Sequence, residues 1–128
     1  MPDKPLKILI VDDEEKIIEY MKKIYDGKGY TTFIASDGPT AVDIFKNERP
    51  NINVIDIHMP YSPFDGVETI RKIKAIDKDA LCIVISRVTE QDKVDASREA
   101  GAYAYLLKPI SSEDIDKVIV KAREDFNF

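Results

Sequence analysis

Four places in this chain of 128 residues carry side chains that could act together as one chemical set: Asp12-Asp13-Glu14, Asp56, Ser86 and Lys108-Pro109. Each closes a short apolar run. Gathering three carboxylates is costly, because like charges raise one another's pKa and oppose folding. A hard divalent cation offsets that cost, and Mg²⁺ prefers oxygen ligands with some water retained. A lysine adds fixed positive charge, and a serine hydroxyl donates one hydrogen bond. Such a set suits phosphoryl transfer, where catalysis is mostly positioning and neutralisation of charge. A carboxylate can itself be the nucleophile and become an acyl phosphate.

The elements that must position these residues alternate. Ile8 to Val11 is a continuous apolar run, as in a strand covered on both faces. Ile17, Ile18, Met21, Ile24 and Tyr25 then recur at helical spacing, and Gly27 and Gly29 end that helix. Tyr30 to Ala35 reads as a second strand. Asp37-Gly38-Pro39 turns into a helix faced by Ala41, Val42 and Phe45. Ile52 to Ile57 reads as strand three, and Val67, Ile70 and Ile73 mark the next helix. Leu81 to Ile85 is a fourth strand. Residues 89–100 read as a helix poor in large apolar side chains, with Val94 its main anchor. Tyr103 to Leu107 is strand five. Ser111 or Ser112 caps a last helix whose stripe is Ile115, Val118, Ile119, Ala122 and Phe126. Five strand–helix alternations imply right-handed βαβ units and a doubly wound parallel sheet. All four polar sites then sit at carboxyl ends of strands, where ligands bind in such sheets.

Each piece has a plainer reading. Asp12 or Asp13 alone fits a helix N-cap equally well. Ser86 alone is a turn residue, and Lys108 alone a solvated lysine. Asp56 in an otherwise apolar strand is harder to explain so, since buried carboxylates need partners. The conjunction carries the reading.

Composition excludes several classes. The net charge is −5 with no basic run, which argues against direct nucleic-acid binding. No apolar stretch approaches the roughly 18 residues of a membrane span. The lone Cys82 rules out an internal disulfide, and its apolar surroundings suit a small buried hydrophobe. No signal peptide is visible, so a cytoplasmic location is expected. The whole chain, 1–128, reads as one domain without repeats or linkers.

Ile-Leu-Ile-Val-Asp-Asp-Glu at 8–14, Val-Ile-Asp-Ile-His-Met-Pro at 54–60, Ile-Val-Ile-Ser at 83–86 and Tyr-Leu-Leu-Lys-Pro at 105–109 are together very specific. In order and spacing the chain resembles the receiver domains of two-component response regulators along essentially its whole length. The resemblance implies a flavodoxin-like sheet in the order 2-1-3-4-5 with five helices. It implies that Asp56 is the phosphoacceptor. It implies Mg²⁺ held by Asp13 and Asp56, by Asp12 through water, and by the backbone carbonyl of His58. Lys108 would pair with the phosphoryl oxygens, Ser86 would hydrogen-bond them, and Tyr105 would change rotamer with Ser86. The peptide before Pro109 would be cis. The donor would be a histidine kinase or phosphotransfer protein, and the output a downstream protein or effector domain. The domain would promote its own phosphorylation and dephosphorylation without turning over a separate substrate. It would be a monomer, or a homodimer formed on phosphorylation.

The chain departs from that pattern in two places. Arg87 stands where the family commonly has Ala or Gly; a long cation there could partly cover the site or add charge to it, and the plainer expectation is that it points to solvent. The loop Tyr61 to Asp65 is two residues longer than usual, and Gly66 is expected to serve a tight turn. His58 is expected to face solvent, Met59 and Phe64 to pack, and Asn53 to mark an exposed face. Three other functions compete. A pseudo-receiver would be a phosphorylation-independent binding module, against which the intact Asp12, Asp13, Asp56, Ser86 and Lys108 argue. A phosphatase of the haloacid-dehalogenase type needs Asp-x-Asp after strand one, where this chain has Asp-Asp-Glu. A flavodoxin needs a phosphate-cradling first turn, and this one is acidic.

Overall fold

The computed structural model describes residues 5–87 and 89–128. Five parallel strands, β1 (Lys7–Val11), β2 (Thr31–Ala35), β3 (Ile52–Asp56), β4 (Cys82–Ser86) and β5 (Ala104–Leu107), form one sheet in the order β2-β1-β3-β4-β5. Five helices alternate with them: α1 (Glu15–Gly27), α2 (Gly38–Glu48), α3 (Gly66–Ile76), α4 (Gln91–Ala100) and α5 (Ser112–Phe126). The doubly wound architecture expected from the alternation, and the strand order implied by the resemblance, are both present.

The inner strands β1, β3 and β4 are largely apolar because both faces are covered, while the edge strands β2 and β5 are partly exposed. Successive side chains point to opposite faces. Leu9, Val11, Ile55 and Val84 pack on one side with Phe45 of α2, Ile70 and Ile73 of α3 and Ala100 of α4. Ile8, Ile10, Val54, Ile83 and Ile85 pack on the other with Met21 and Tyr25 of α1 and Ile115 and Ile119 of α5. Each such side chain removed from water contributes about 1.5–3 kcal/mol before entropy is counted.

The helix starts follow local chemistry. Asp37, Asp65 and Ser111 accept the N–H of Thr40, Glu68 and Asp114 respectively. Each satisfies a donor the helix cannot pair internally. Helix α1 ends at Gly27, and Gly29 supplies the positive φ of +90° that the turn into β2 requires.

Three local expectations need correction. Asn53 is fully buried, not on an exposed face. Every residue of the inner strand β3 is buried, and the Asn53 NH2 group donates to the carbonyls of Leu81 and Pro50. Val94 is only half-buried, while Ser97 and Ala100 are the buried residues of α4. The helix packs through small side chains, with Ser97 Oγ donating to the Lys93 carbonyl. Gly66 has no positive φ; a Cβ there would lie 2.2 Å from the Asp56 carbonyl oxygen, so close approach of α3 to the end of β3 is what demands glycine.

Candidate functional site

Strand order and register bring the polar residues together. Val11 pairs with Ile55, so Asp12 and Asp56 extend from adjacent central strands. Asp56 pairs with Ile85, which puts Ser86 one step beyond. Ser86 pairs with Leu107, and the Lys108 N–H donates to the Ser86 carbonyl at 2.8 Å. Four consecutive strands, β1, β3, β4 and β5, thus present Asp12, Asp56, Ser86 and Lys108 along one edge.

The Lys108 ammonium is the hub. Its Nζ lies 2.8 Å from Asp12 Oδ2, 3.3 Å from Asp56 Oδ2 and 3.5 Å from Glu14 Oε1. Among the described residues Asp12 Oδ2 has no hydrogen-bond partner beyond that ion pair. The other Asp12 oxygen accepts the Glu14 N–H at 2.9 Å, and Asp56 Oδ1 accepts the His58 N–H at 3.3 Å. The residue that starts α1 is Glu14, whose side chain makes no capping bond. The capping explanation for Asp12 and Asp13 therefore falls away.

Carboxylate oxygens of Asp12, Asp13 and Asp56 lie within 4.8 Å of one another. Asp12 and Asp56 are buried and Asp13 is half-buried. Burial and the Asp12 carboxylate push the Asp56 pKa up to about 6, against the pull of Lys108 and the His58 N–H. Burial works to lower the Lys108 pKa, but the carboxylates of Asp12 and Asp56 outweigh it and raise it. A site with more carboxylate than ammonium, all hard oxygen, fits a hard divalent cation. The donor set matches Mg²⁺ and offers no sulfur; the lone histidine, His58, has its side chain exposed at the rim.

Ser86 is fully buried, and Tyr105 is half-buried against the α2–α3–α4 side of the core. The Lys108–Pro109 peptide is cis. Cys82 is buried and its thiol is pushed up to about 12 by burial, as suits an inert core residue. Met59 is buried in the core.

Two features mark the positions where the chain departs from the family pattern. Arg87 is largely solvent-exposed, but its Nη2 reaches Glu14 Oε2 at 3.3 Å. The long β3–α3 loop is docked: Ser62 Oγ accepts the Gly38 N–H at 2.8 Å, and Phe64 lies where a Gly38 Cβ would come within 2.4 Å of its ring. Lys72 Nζ stands 5.1 Å from that ring's centroid. Tyr61, at the tip, is left to solvent, and Pro63 is exposed as well. Both features join residues distant in sequence, and the only signal for them was that the chain departs from the family pattern at these positions.

Known proteins agree with this geometry. The response regulator receiver domain profile matches residues 8–120. The sporulation initiation phosphotransferase F of Bacillus subtilis is 34% identical over 115 residues, covering 90% of this chain and 91% of that protein. Mycobacterial response regulator MprA is 32% identical, and there the chain spans 47% of the relative's length. A CheY-like receiver domain protein from Methanospirillum hungatei superposes with a TM-score of 0.90 at 27% identity over 97% of this chain and 98% of that one. The CheX–CheY–BeF3–Mg²⁺ complex of Borrelia burgdorferi gives 0.83 at 28%, over 92% of this chain and 89% of that one. With the strand order, the carboxylate cluster and the lysine hub in place, this chain belongs to the response regulator receiver domain family.

Proposed function

We propose that this receiver takes a phosphoryl group on Asp56 from a phosphohistidine donor, in a reaction that requires Mg²⁺. The observation that carries the reading is the buried Asp12–Lys108–Asp56 arrangement, with Asp13 beside it, at the carboxyl edge of the sheet. An Asp56 carboxylate oxygen attacks phosphorus as the donor N–P bond breaks. The electron pair stays on the imidazole, which takes up a proton. Asp12, Asp13, Asp56 and the His58 carbonyl would hold Mg²⁺, whose charge would offset that of the transferring group. Lys108 ion-pairs with the incoming phosphoryl oxygens. Ser86 donates a hydrogen bond to them, and Tyr105 follows Ser86 in the switch. Contacts made only in the phosphorylated state are what a population shift requires.

The relative named as a phosphotransferase and the neighbour solved with BeF3 and Mg²⁺ support this reading. The donor is a histidine kinase or phosphotransfer protein, and the recipient of the signal a target protein or effector domain. Hydrolysis of the acyl phosphate resets the switch, so the chain turns over no separate substrate. Residues 1–128 act as one domain in the cytoplasm; no described helix is long and apolar enough to cross a membrane. It works as a monomer, or as a dimer formed on phosphorylation, for which the exposed Leu107 and Val120 offer apolar contact.

Intact mass after incubation with acetyl phosphate tests the reading. One added phosphoryl group is expected with Mg²⁺, and none in Asp56→Asn or in chelator. No added mass, together with no binding of beryllofluoride, would refute it in favour of a phosphorylation-independent binding module.

A further inference from the structure

Two hollows meet at the phosphoacceptor edge. One, of about 200 Å³, is lined by Asp56, Asp13, Glu14 and His58. The other, of about 260 Å³, is an apolar groove beside α1, lined by Ile17, Tyr20, Met21 and Ile110. Arg87 and Lys108 line both, so they form the wall between them. Glu14 spans that wall. One of its oxygens lies 3.3 Å from Arg87 Nη2, and the other 3.5 Å from Lys108 Nζ.

This ionic bridge joins three segments with no covalent reason to stay together: the turn after β1, the turn after β4 and the end of β5. Lys108 is nearly excluded from solvent and held by Asp12 and Asp56. Arg87 is the reverse, with its side chain 70% exposed. One post of the bridge is therefore fixed and the other is free to swing on a long, flexible side chain. An exposed ion pair of this kind is weak. It can open often, yet bias which state predominates.

We propose that Glu14 and Arg87 form a latch that narrows access to Asp56, making Arg87 a positioning residue for phosphodonor entry. The inference rests on Asp56 being the phosphoacceptor. Opening the latch joins the acidic cavity to the apolar groove and widens the approach to Asp56. A small donor enters faster when the pair is broken, by at most about fivefold, the range an exposed pair can supply.

Charge alone makes a different prediction, which gives the test its force. Arg87→Ala makes the mouth more negative and Glu14→Gln makes it less so. Steering of an anionic donor would move the two variants in opposite directions. A latch moves both the same way.

The experiment follows initial rates of acyl phosphate formation by intact mass, with acetyl phosphate at saturating Mg²⁺. It compares wild type, Arg87→Ala, Arg87→Lys, Glu14→Gln and the Arg87→Ala/Glu14→Gln double variant. The latch is supported if both single variants are faster, the double variant is no faster than either, and Arg87→Lys stays near wild type. Salt at about 1 M should also bring wild type toward the Arg87→Ala rate, because screening opens an exposed pair. Opposite changes in the two single variants, or no change in either, overturn it while leaving Asp56 as phosphoacceptor. If wild type and every variant fail to gain mass, the phosphoacceptor reading fails and the latch falls with it.

Discussion

Replacing Asp56 with asparagine should make the metal-free protein more stable. The Asp56 carboxylate is almost fully buried, and burial together with the Asp12 charge raises its pKa from 3.8 to about 6. The folded state therefore binds this proton more tightly than the unfolded chain. Stability contributed by the group is present at low pH and is lost as pH rises through the folded value. Above about pH 7 the full cost applies, at about 1.4 kcal/mol per pKa unit, which sets a ceiling near 3 kcal/mol. Asparagine also gives up the attraction of Lys108 and the His58 N–H for the carboxylate, so the net gain is about 1–3 kcal/mol. The assay is urea unfolding of both proteins in chelator, from about pH 4 to about pH 8. The variant should lead at the upper end, and its lead should shrink toward the lower end. Saturating Mg²⁺ should raise the wild type more than the variant, since the metal binds only the folded site and Asp56→Asn lacks one carboxylate. A variant less stable than wild type near pH 8 without metal, or a gap that does not vary with pH, would refute the electrostatic account of the site.

Gly66→Ala should cost about 1–3 kcal/mol in urea unfolding and weaken beryllofluoride binding, because its methyl would meet the Asp56 carbonyl and the Ile57 Cα. Unchanged stability would show that α3 can move away freely. Ser62→Ala should cost about 1 kcal/mol and raise hydrogen exchange at the Gly38 amide, which loses its acceptor. An unchanged exchange rate would mean the loop is not held there. Cys82 should resist thiol reagents at about pH 8 in the folded protein and react at the rate of unfolding, since it is buried with its thiol pushed up to about 12.

Much of this was legible in the residues. The strands announced themselves as apolar runs because a doubly wound sheet is covered on both faces, and the polar ends of those runs mark the site edge. Asp12, Asp13, Asp56, Ser86 and Lys108 could be picked out because each interrupts such a run. The same logic failed at Asn53, which also interrupts a run yet is buried, its NH2 group donating to neighbouring carbonyls. Helix α4 was placed, but its anchor was not, since small residues pack through backbone proximity that periodicity does not register. The Glu14–Arg87 pair and the docked Ser62 and Phe64 depend on side chains meeting across loops, and no local pattern encodes that.

The sheet divides the interior into two chambers that share almost no side-chain contact. Leu9, Val11, Ile55 and Val84 belong to one, while Ile8, Ile10, Val54, Ile83 and Ile85 belong to the other. Compensation between mutations should respect that wall. A cavity opened at Ile70 can be refilled only from α2, α3, α4 and their strand faces, and one opened at Ile119 only from α1, α5 and theirs. The backbone between them transmits little of either change. The two halves of the interior are thus free to drift in sequence independently, while the carboxyl edge, where both end, must satisfy them together.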